Sequence, residues 1–170
     1  MEASLPSIYS YGKVGNMSPE AKTKESENVR QVVRAILLTC DGRVCIGKRA
    51  PGEYEAGKWC LVGGKAEGKV LSKEALREIS EETGVAGDVL TDEVEPRFVF
   101  FVDRIKDGVV WRNNYYIFEA DDLCIPLILE SFSRREFSEL AFVLEEDLRG
   151  LRFAFGDRKV VRDFFKYVGN

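Results

Sequence analysis

Histidine is absent from this chain of 170 residues. With it go imidazole as a metal ligand, as a general base and as the side chain that changes charge near neutral pH. The four cysteines, Cys40, Cys45, Cys60 and Cys124, include no Cys-x-x-Cys pair, so neither a zinc ribbon nor a thioredoxin-like redox centre is encoded. Cys40 and Cys45 flank a hairpin turn, but buried or incidental free thiols are the simpler expectation. Also missing are a charged start followed by an apolar stretch and any apolar run of about 18 residues. No membrane association is expected, and a reduced, cytoplasmic setting is. Nor is positive charge in excess: 25 Lys plus Arg face 29 Asp plus Glu, for a net charge of -4 at pH 7. Without a global positive field, no nucleic-acid polymer is expected as a partner, and any phosphate must be recognised locally.

What is present suffices for one domain: 45% of residues are hydrophobic and 11% aromatic, enough apolar surface for a single core. Residues 1–28 are polar, rich in Ser, Lys and Glu, and lack apolar periodicity. They read as a flexible arm in front of a folded domain spanning 29–170. Residues 31–39 (QVVRAILLT) and 44–48 (VCIGK), joined by Asp41-Gly42, predict an opening hairpin. Residues 50–57 (APGEYEAG) predict a surface loop before the apolar segment 59–62.

Ser72 is the expected cap of a helix over 73–83, with Glu74 in its first turn and Gly84 as its left-handed stop. Residues 96–103 (PRFVFFVD) and 109–119 (VVWRNNYYIFE) predict a second hairpin about Lys106-Asp107-Gly108, and 140–143 a short strand. Asp157 is the expected cap of a terminal helix whose Val161, Phe164, Phe165 and Val168 recur at helical spacing. The order predicts a mixed α/β fold in which helices sandwich a mixed β-sheet.

The segment richest in chemistry is GGKAEGKVLSKEALREISEETGV, residues 63–85. At about 100° per residue, and with Glu78 taken as zero, Glu82 lies near +40°, Glu81 near -60° and Glu74 near -40°. All four carboxylates thus crowd one helix face, beside the apolar arc of Leu71, Ala75 and Ile79. Such crowding calls for a counter-charge, and Mg2+ takes carboxylate and carbonyl oxygens of the kind a glycine loop supplies. The competing reading is a solvated acidic face with Arg77 and Glu81 as an i,i+4 pair.

The run Arg77-Glu78-Ile79-Ser80-Glu81-Glu82-Thr83-Gly84-Val85 resembles the second half of the Nudix box: Gly, five residues, Glu, seven residues, then Arg-Glu-aliphatic-x-Glu-Glu-x-Gly-aliphatic. Gly63-Gly64-Lys65, preceded by Trp59 and by Gly47-Lys48-Arg49, is similar to the family's approach to that box. With Glu136-Phe137-Ser138-Glu139 and the terminal helix, the likeness covers roughly residues 29–166. The first half departs from the pattern. Lys69 stands at the position of the first Glu, and only four residues separate it from Gly64. Glu67 lies one turn of loop from the vacant place. The departure bears on catalytic power, not on fold.

The resemblance implies a Mg2+-dependent hydrolase, with Mn2+ as an alternative, that cleaves the diphosphate linkage of a nucleoside triphosphate or similar nucleoside diphosphate derivative. Glu78, Glu81 and Glu82 would ligate the metal with the Gly63 carbonyl, and Arg77 would hold Glu78 from behind. Glu136, with Glu139 as second candidate, would complete the site as a further ligand or as the base. Arg49, Gly64 and Lys65 are the candidate substrate contacts, Arg49 alternatively being a strand-end surface charge. Trp59, Phe100, Trp111 and Tyr115 are candidate platforms for a base, although aromatics on strands usually belong to the core. The lack of histidine argues against the isopentenyl diphosphate isomerase and GDP-mannose hydrolase branches of the family. Lys69 keeps a second function class open, a nucleotide-binding or regulatory module with little turnover. The long aromatic hairpin at 96–119 would support a homodimer.

Overall fold

The computed structural model describes residues 29–85 and 97–168. The polar arm expected at 1–28 lies outside the described residues, as does Pro96 at the head of the second hairpin.

Strands β1 (Val29–Thr39), β2 (Val44–Arg49) and β3 (Trp59–Cys60) precede helix α1 (Leu71–Thr83). Strands β4 (Arg97–Lys106) and β5 (Val109–Ala120) form the second hairpin. Helix α2 (Cys124–Ser131), strand β6 (Phe137–Val143), a 3-10 turn (Glu145–Leu148) and helix α3 (Asp157–Val168) complete the order. The sheet runs β3-β2-β1-β5-β4, with β6 also pairing with β2. At its centre β1 and β5 are parallel and in register from Val29 opposite Val110 to Thr39 opposite Ala120. The remaining strand pairs are antiparallel.

Because strand side chains alternate between faces, the β-branched run of β1 is buried on both. Val33, Ala35 and Leu37, with Tyr116 and Phe118 of β5, pack against Ala75 and Ile79 of α1 and Ile128 of α2. Ile36, with Tyr115 and Ile117, packs on the other side against Val160, Val161, Phe164 and Phe165 of α3. The result is the mixed sheet between helices that the element order predicts.

Several local expectations need correction. Helix α1 starts at Leu71, so Ser72 sits inside the first turn; Val70 is in the cap position, and no side-chain cap hydrogen bond is made. Gly84 does adopt the left-handed conformation, φ 72°, and its N–H bonds back to the Ser80 carbonyl. Asp157 does not serve as a simple cap. Its fully buried carboxylate accepts the Leu61 N–H at 3.1 Å, 96 residues away in sequence, and stands 3.8 Å from Arg104. Strand β6 begins at Phe137, earlier than expected, which places Glu139 within it. Helix α2, with Pro126 in its first turn where a missing N–H costs nothing, has no counterpart in the sequence reading. None of the four cysteines forms a disulfide. No helix among the described residues is long and apolar enough to cross a membrane.

Candidate active site

Ala75 and Ile79, 1% and 0% exposed, fix the rotation of α1 by facing the sheet. The same rotation carries Glu78 and Glu82, one turn apart, to the edge of the buried face, where they are 8% and 5% exposed. Glu81, beyond Glu78 on the side away from Glu82, has a side chain 59% exposed. Glu78 and Glu82 are thus the buried pair, Glu74 is half-buried, and of the four acids Glu81 alone is turned out.

The glycine loop interlocks with the inward pair. Gly63 has φ 137°, and a Cβ there would come within 2.2 Å of the Val33 carbonyl oxygen, so no other residue fits. Its N–H donates to Glu82 Oε2 at 2.6 Å, and its carbonyl accepts from Arg34 Nη1 at 3.0 Å. The Gly64 carbonyl accepts the Val33 N–H at 2.9 Å. A Cβ on Gly64 would meet the Glu78 carboxylate at 2.6 Å. Burial pushes Glu82 up to about 8, with the Glu78 and Glu136 charges adding to the rise, against the Gly63 N–H and Arg34, which pull it down. Burial also raises Glu78 above the usual carboxylate range, despite the adjoining Arg77. Both groups are therefore short of positive charge.

Arg77 gathers the other acids. Nη2 donates to Glu78 Oε1 at 2.6 Å and Nη1 to Glu81 Oε2 at 2.9 Å, while Nε and Nη2 reach Glu74 Oε2 at 3.2 and 3.1 Å. The Lys65 carbonyl accepts from Nη2 as well, at 3.3 Å. Glu74 Oε2 in addition accepts the Glu67 N–H at 3.0 Å. Lys69 is exposed in the loop. The carboxylate that ties this loop to Arg77 comes from the helix, at Glu74, and Glu67 contributes its backbone.

Glu136 lies in the turn before β6, its carbonyl accepting the Ala50 N–H at 2.9 Å, and its charge acts on Glu82. Glu139 is drawn instead to Lys48, 3.6 Å away on the surface. Arg49 is engaged within its own loop. It bonds Glu53 at 3.1 Å and the Tyr54 carbonyl at 2.5 Å, and its guanidinium lies 5.1 Å from the Phe155 ring centroid. Lys65 reaches over the Trp111 ring at 5.6 Å. Of the four candidate platforms, Trp59, Phe100 and Tyr115 are core residues, and Trp111 is half-buried.

Three participants escaped the sequence reading: Arg34, Glu74 as a partner of Arg77, and Phe155. Arg34 is 5% exposed, stands 4.6 Å from the Phe155 ring centroid, and keeps a buried Nε without a hydrogen-bond partner among the described residues. Its one sequence signal is a charge inside the apolar run of β1.

Among the described residues no three acidic groups stand close enough to form a closed cation site. Glu81 is held by Arg77, and the Gly63 carbonyl by Arg34. The inward pair nonetheless suits Mg2+. It offers oxygen donors alone, and its members are destabilised as anions by burial, which a hard cation would relieve.

A NUDIX domain model matches residues 29–164. A protein of Novosphingobium aromaticivorans named RNA pyrophosphohydrolase is 32% identical over 144 residues, 78% of this chain and 88% of that one. An oxidized purine nucleoside triphosphate hydrolase of Danio rerio is 31% identical over 93 residues, 54% of this chain and 55% of its own. Among solved structures, the MutT protein of Methanosarcina mazei superposes with a TM-score of 0.61 at 20% identity, covering 84% of this chain and 96% of that one. MutT of Burkholderia pseudomallei gives 0.60 at 24% identity, covering 81% and 98%. The structural likeness establishes the fold; with the domain match and the Novosphingobium relative, it places the chain in the Nudix hydrolase family.

Proposed function

We propose that the chain hydrolyses the diphosphate linkage of a nucleoside triphosphate or similar nucleoside diphosphate derivative, with Mg2+, or Mn2+ in its place, as cofactor. The observation that carries this reading is the buried Glu78–Glu82 pair locked against the Gly63-Gly64 loop. When bound, a divalent ion neutralises phosphate oxygens that otherwise repel a nucleophile and lowers the pKa of water. Glu78 and Glu82 would hold it, with Glu81 at the rim. Arg77 keeps Glu78 oriented through a 2.6 Å hydrogen bond. Glu136 takes the proton of the attacking water as the new P–O bond forms, and the bridging P–O bond breaks with its electron pair on the leaving phosphate. Lys65 and Gly64, at the mouth of the loop, are the proposed phosphate contacts; Arg49 joins them only by releasing Glu53.

A second reading takes the substrate to be an RNA, since the Novosphingobium relative is named RNA pyrophosphohydrolase. The observation favouring it is a groove beside α3 lined by Arg152, Arg158 and Arg162, whose side chains have no ion-pair partner among the described residues.

The test is release of phosphate or pyrophosphate from a panel of nucleoside triphosphates, nucleotide sugars and dinucleotides with Mg2+. Hydrolysis of at least one, abolished in Glu82→Gln, is the expected outcome. Inactivity across the panel, with nucleotide binding retained, would replace the enzyme by a binding module.

A further inference from the structure

Three consecutive side chains in the loop between β2 and β3, those of Glu53, Tyr54 and Glu55, are tied down unequally. Tyr54 stacks on the Phe155 ring at 6.2 Å, and Lys106 donates to its hydroxyl at 3.2 Å and sits 4.7 Å from its ring centroid. Glu55 holds Lys58 at 2.6 Å through one oxygen and the Phe155 N–H at 3.1 Å through the other. The Glu53 carboxylate has less to keep it. Among the described residues it accepts from Arg49 alone, at 3.1 Å from Nη2 to Oε2. Its side chain is 32% exposed, which leaves it a way out into solvent.

Arg49 does not share that freedom. Its N–H donates to the Lys58 carbonyl and its carbonyl accepts the Gly57 N–H, both at 2.9 Å. Nε donates to the Tyr54 carbonyl at 2.5 Å, the guanidinium stands 5.1 Å from the Phe155 ring centroid, and the side chain is 11% exposed. Nη1 has no hydrogen-bond partner among the described residues. The Nη1–Nη2 edge is therefore half used: one carboxylate oxygen lies where a phosphate group would place two.

The neighbours of Arg49 set it beside the carboxylate site. It pairs with Phe137 across the sheet, and the next residue, Ala50, donates its N–H to the Glu136 carbonyl at 2.9 Å. The Phe155 ring that it packs on also lies 4.6 Å from Arg34, which donates to the Gly63 carbonyl.

We propose that Glu53 is an internal counter-anion, which occupies the Nη1–Nη2 edge of Arg49 in the free protein and swings out when a phosphate of the substrate takes its place. Arg49 stays where Tyr54 and Phe155 hold it. The proposal rests on the diphosphate-cleaving reading of the carboxylate site and names Glu53 as a residue that sets how tightly the phosphate chain is held.

Two measurements test it. Binding of inorganic triphosphate, which carries no base, is followed by calorimetry in EDTA, and kcat and KM are measured for a nucleoside triphosphate in Mg2+. In Glu53→Gln the dissociation constant and KM both fall about ten-fold, the worth of a charge-assisted hydrogen bond that the ligand no longer has to displace, while kcat is unchanged. Glu53→Asp keeps the charge but draws the carboxylate back from Nη2, and it tightens binding as well. In an Arg49→Gln background, Glu53→Gln has no effect, because the two residues act through one contact.

Unchanged affinity in Glu53→Gln, or a gain that persists without Arg49, would overturn the proposal. So would a gain in Glu53→Gln that Glu53→Asp lacks, which would assign the effect to charge at a distance; this comparison decides alone should Arg49→Gln lose its fold. Tighter triphosphate binding in both Glu53 variants of a protein that hydrolyses no nucleotide would uphold the exchange and sink the hydrolytic reading.

Discussion

The Glu82 carboxylate accepts the Gly63 N–H at 2.6 Å while burial pushes its pKa up to about 8, so one bond fixes the glycine loop to a group that is reluctant to ionise. A carboxyl whose folded pKa lies above its unfolded value takes up a proton on folding. Its stabilising contribution is complete below the unfolded value of 4.5 and is lost as pH rises through about 8. The metal-free protein is therefore expected to lose thermal stability between about pH 5 and 8, on the order of 4 kcal/mol for a rise from 4.5 to about 8. Mg2+, competing with the proton, should restore more at the upper end of that window. Melting in EDTA and in MgCl2 across pH checks this, with Glu82→Gln expected to flatten both trends. A metal-free melting temperature that climbs over this range would contradict it.

Glu74 is expected to do the work that Lys69 cannot. Glu74→Gln should lower kcat about ten-fold, corresponding to one weakened charged hydrogen bond, and leave KM near its original value, because Arg77 orients Glu78 and does not itself bind substrate. Adding Lys69→Glu to Glu74→Gln should recover most of the loss. Steady-state kinetics of the single and double variants decide it. No recovery in the double variant would mean that Glu74 is not standing in for a loop carboxylate.

Gly64→Ala sets a Cβ at 2.6 Å from the Glu78 carboxylate, whereas Gly63→Ala sets one at 2.2 Å from the Val33 backbone and demands φ 137°. A side-chain carboxylate can swing away and a strand carbonyl cannot. Gly64→Ala should fold with a loss of about 1–3 kcal/mol and with hydrolysis nearly gone. Gly63→Ala should fail to give a cooperative unfolding transition. Comparable stability in the two variants would refute the distinction.

Glu136 and Glu139 are separable by rate. Glu136→Gln should reduce kcat by about 10²–10⁴, the usual worth of a general base. Glu139→Gln, which breaks only a 3.6 Å surface pair with Lys48, should change kcat by less than about two-fold, since such pairs contribute little. The reverse order would move the base to β6.

Much of this architecture is local and therefore legible in the sequence. The helix with its Gly84 stop, both hairpins, and the stripe of Val161, Phe164 and Phe165 on α3 follow from periodicities that a single element imposes on itself. The inward turn of Glu78 and Glu82 follows from Ala75 and Ile79, which the sequence also displays. What stayed hidden depends on partners remote in sequence. Ser72 looks like a cap until the loop at 67–68 docks on Glu74 and lets the helix begin earlier. Asp157 likewise looks like a cap until Leu61 arrives to claim its carboxylate. Arg34 gives no sign of its role without Gly63 and Phe155 beside it. Charge summed over the chain concealed the arginine groove, because net charge carries no information about where the cations lie.

The parallel pairing of β1 with β5 has a consequence for how the molecule comes to exist. Asn114 of β5 reaches back to the carbonyl of Val32, 82 positions earlier in the chain, and the two strands form the middle of the sheet. During synthesis the first strand emerges long before its neighbour has been made, at about 5–20 residues per second, and must wait several seconds with an apolar edge unmatched. Folding is then gated by closure of a long loop, and the nascent protein should depend on chaperones more than its modest size would imply.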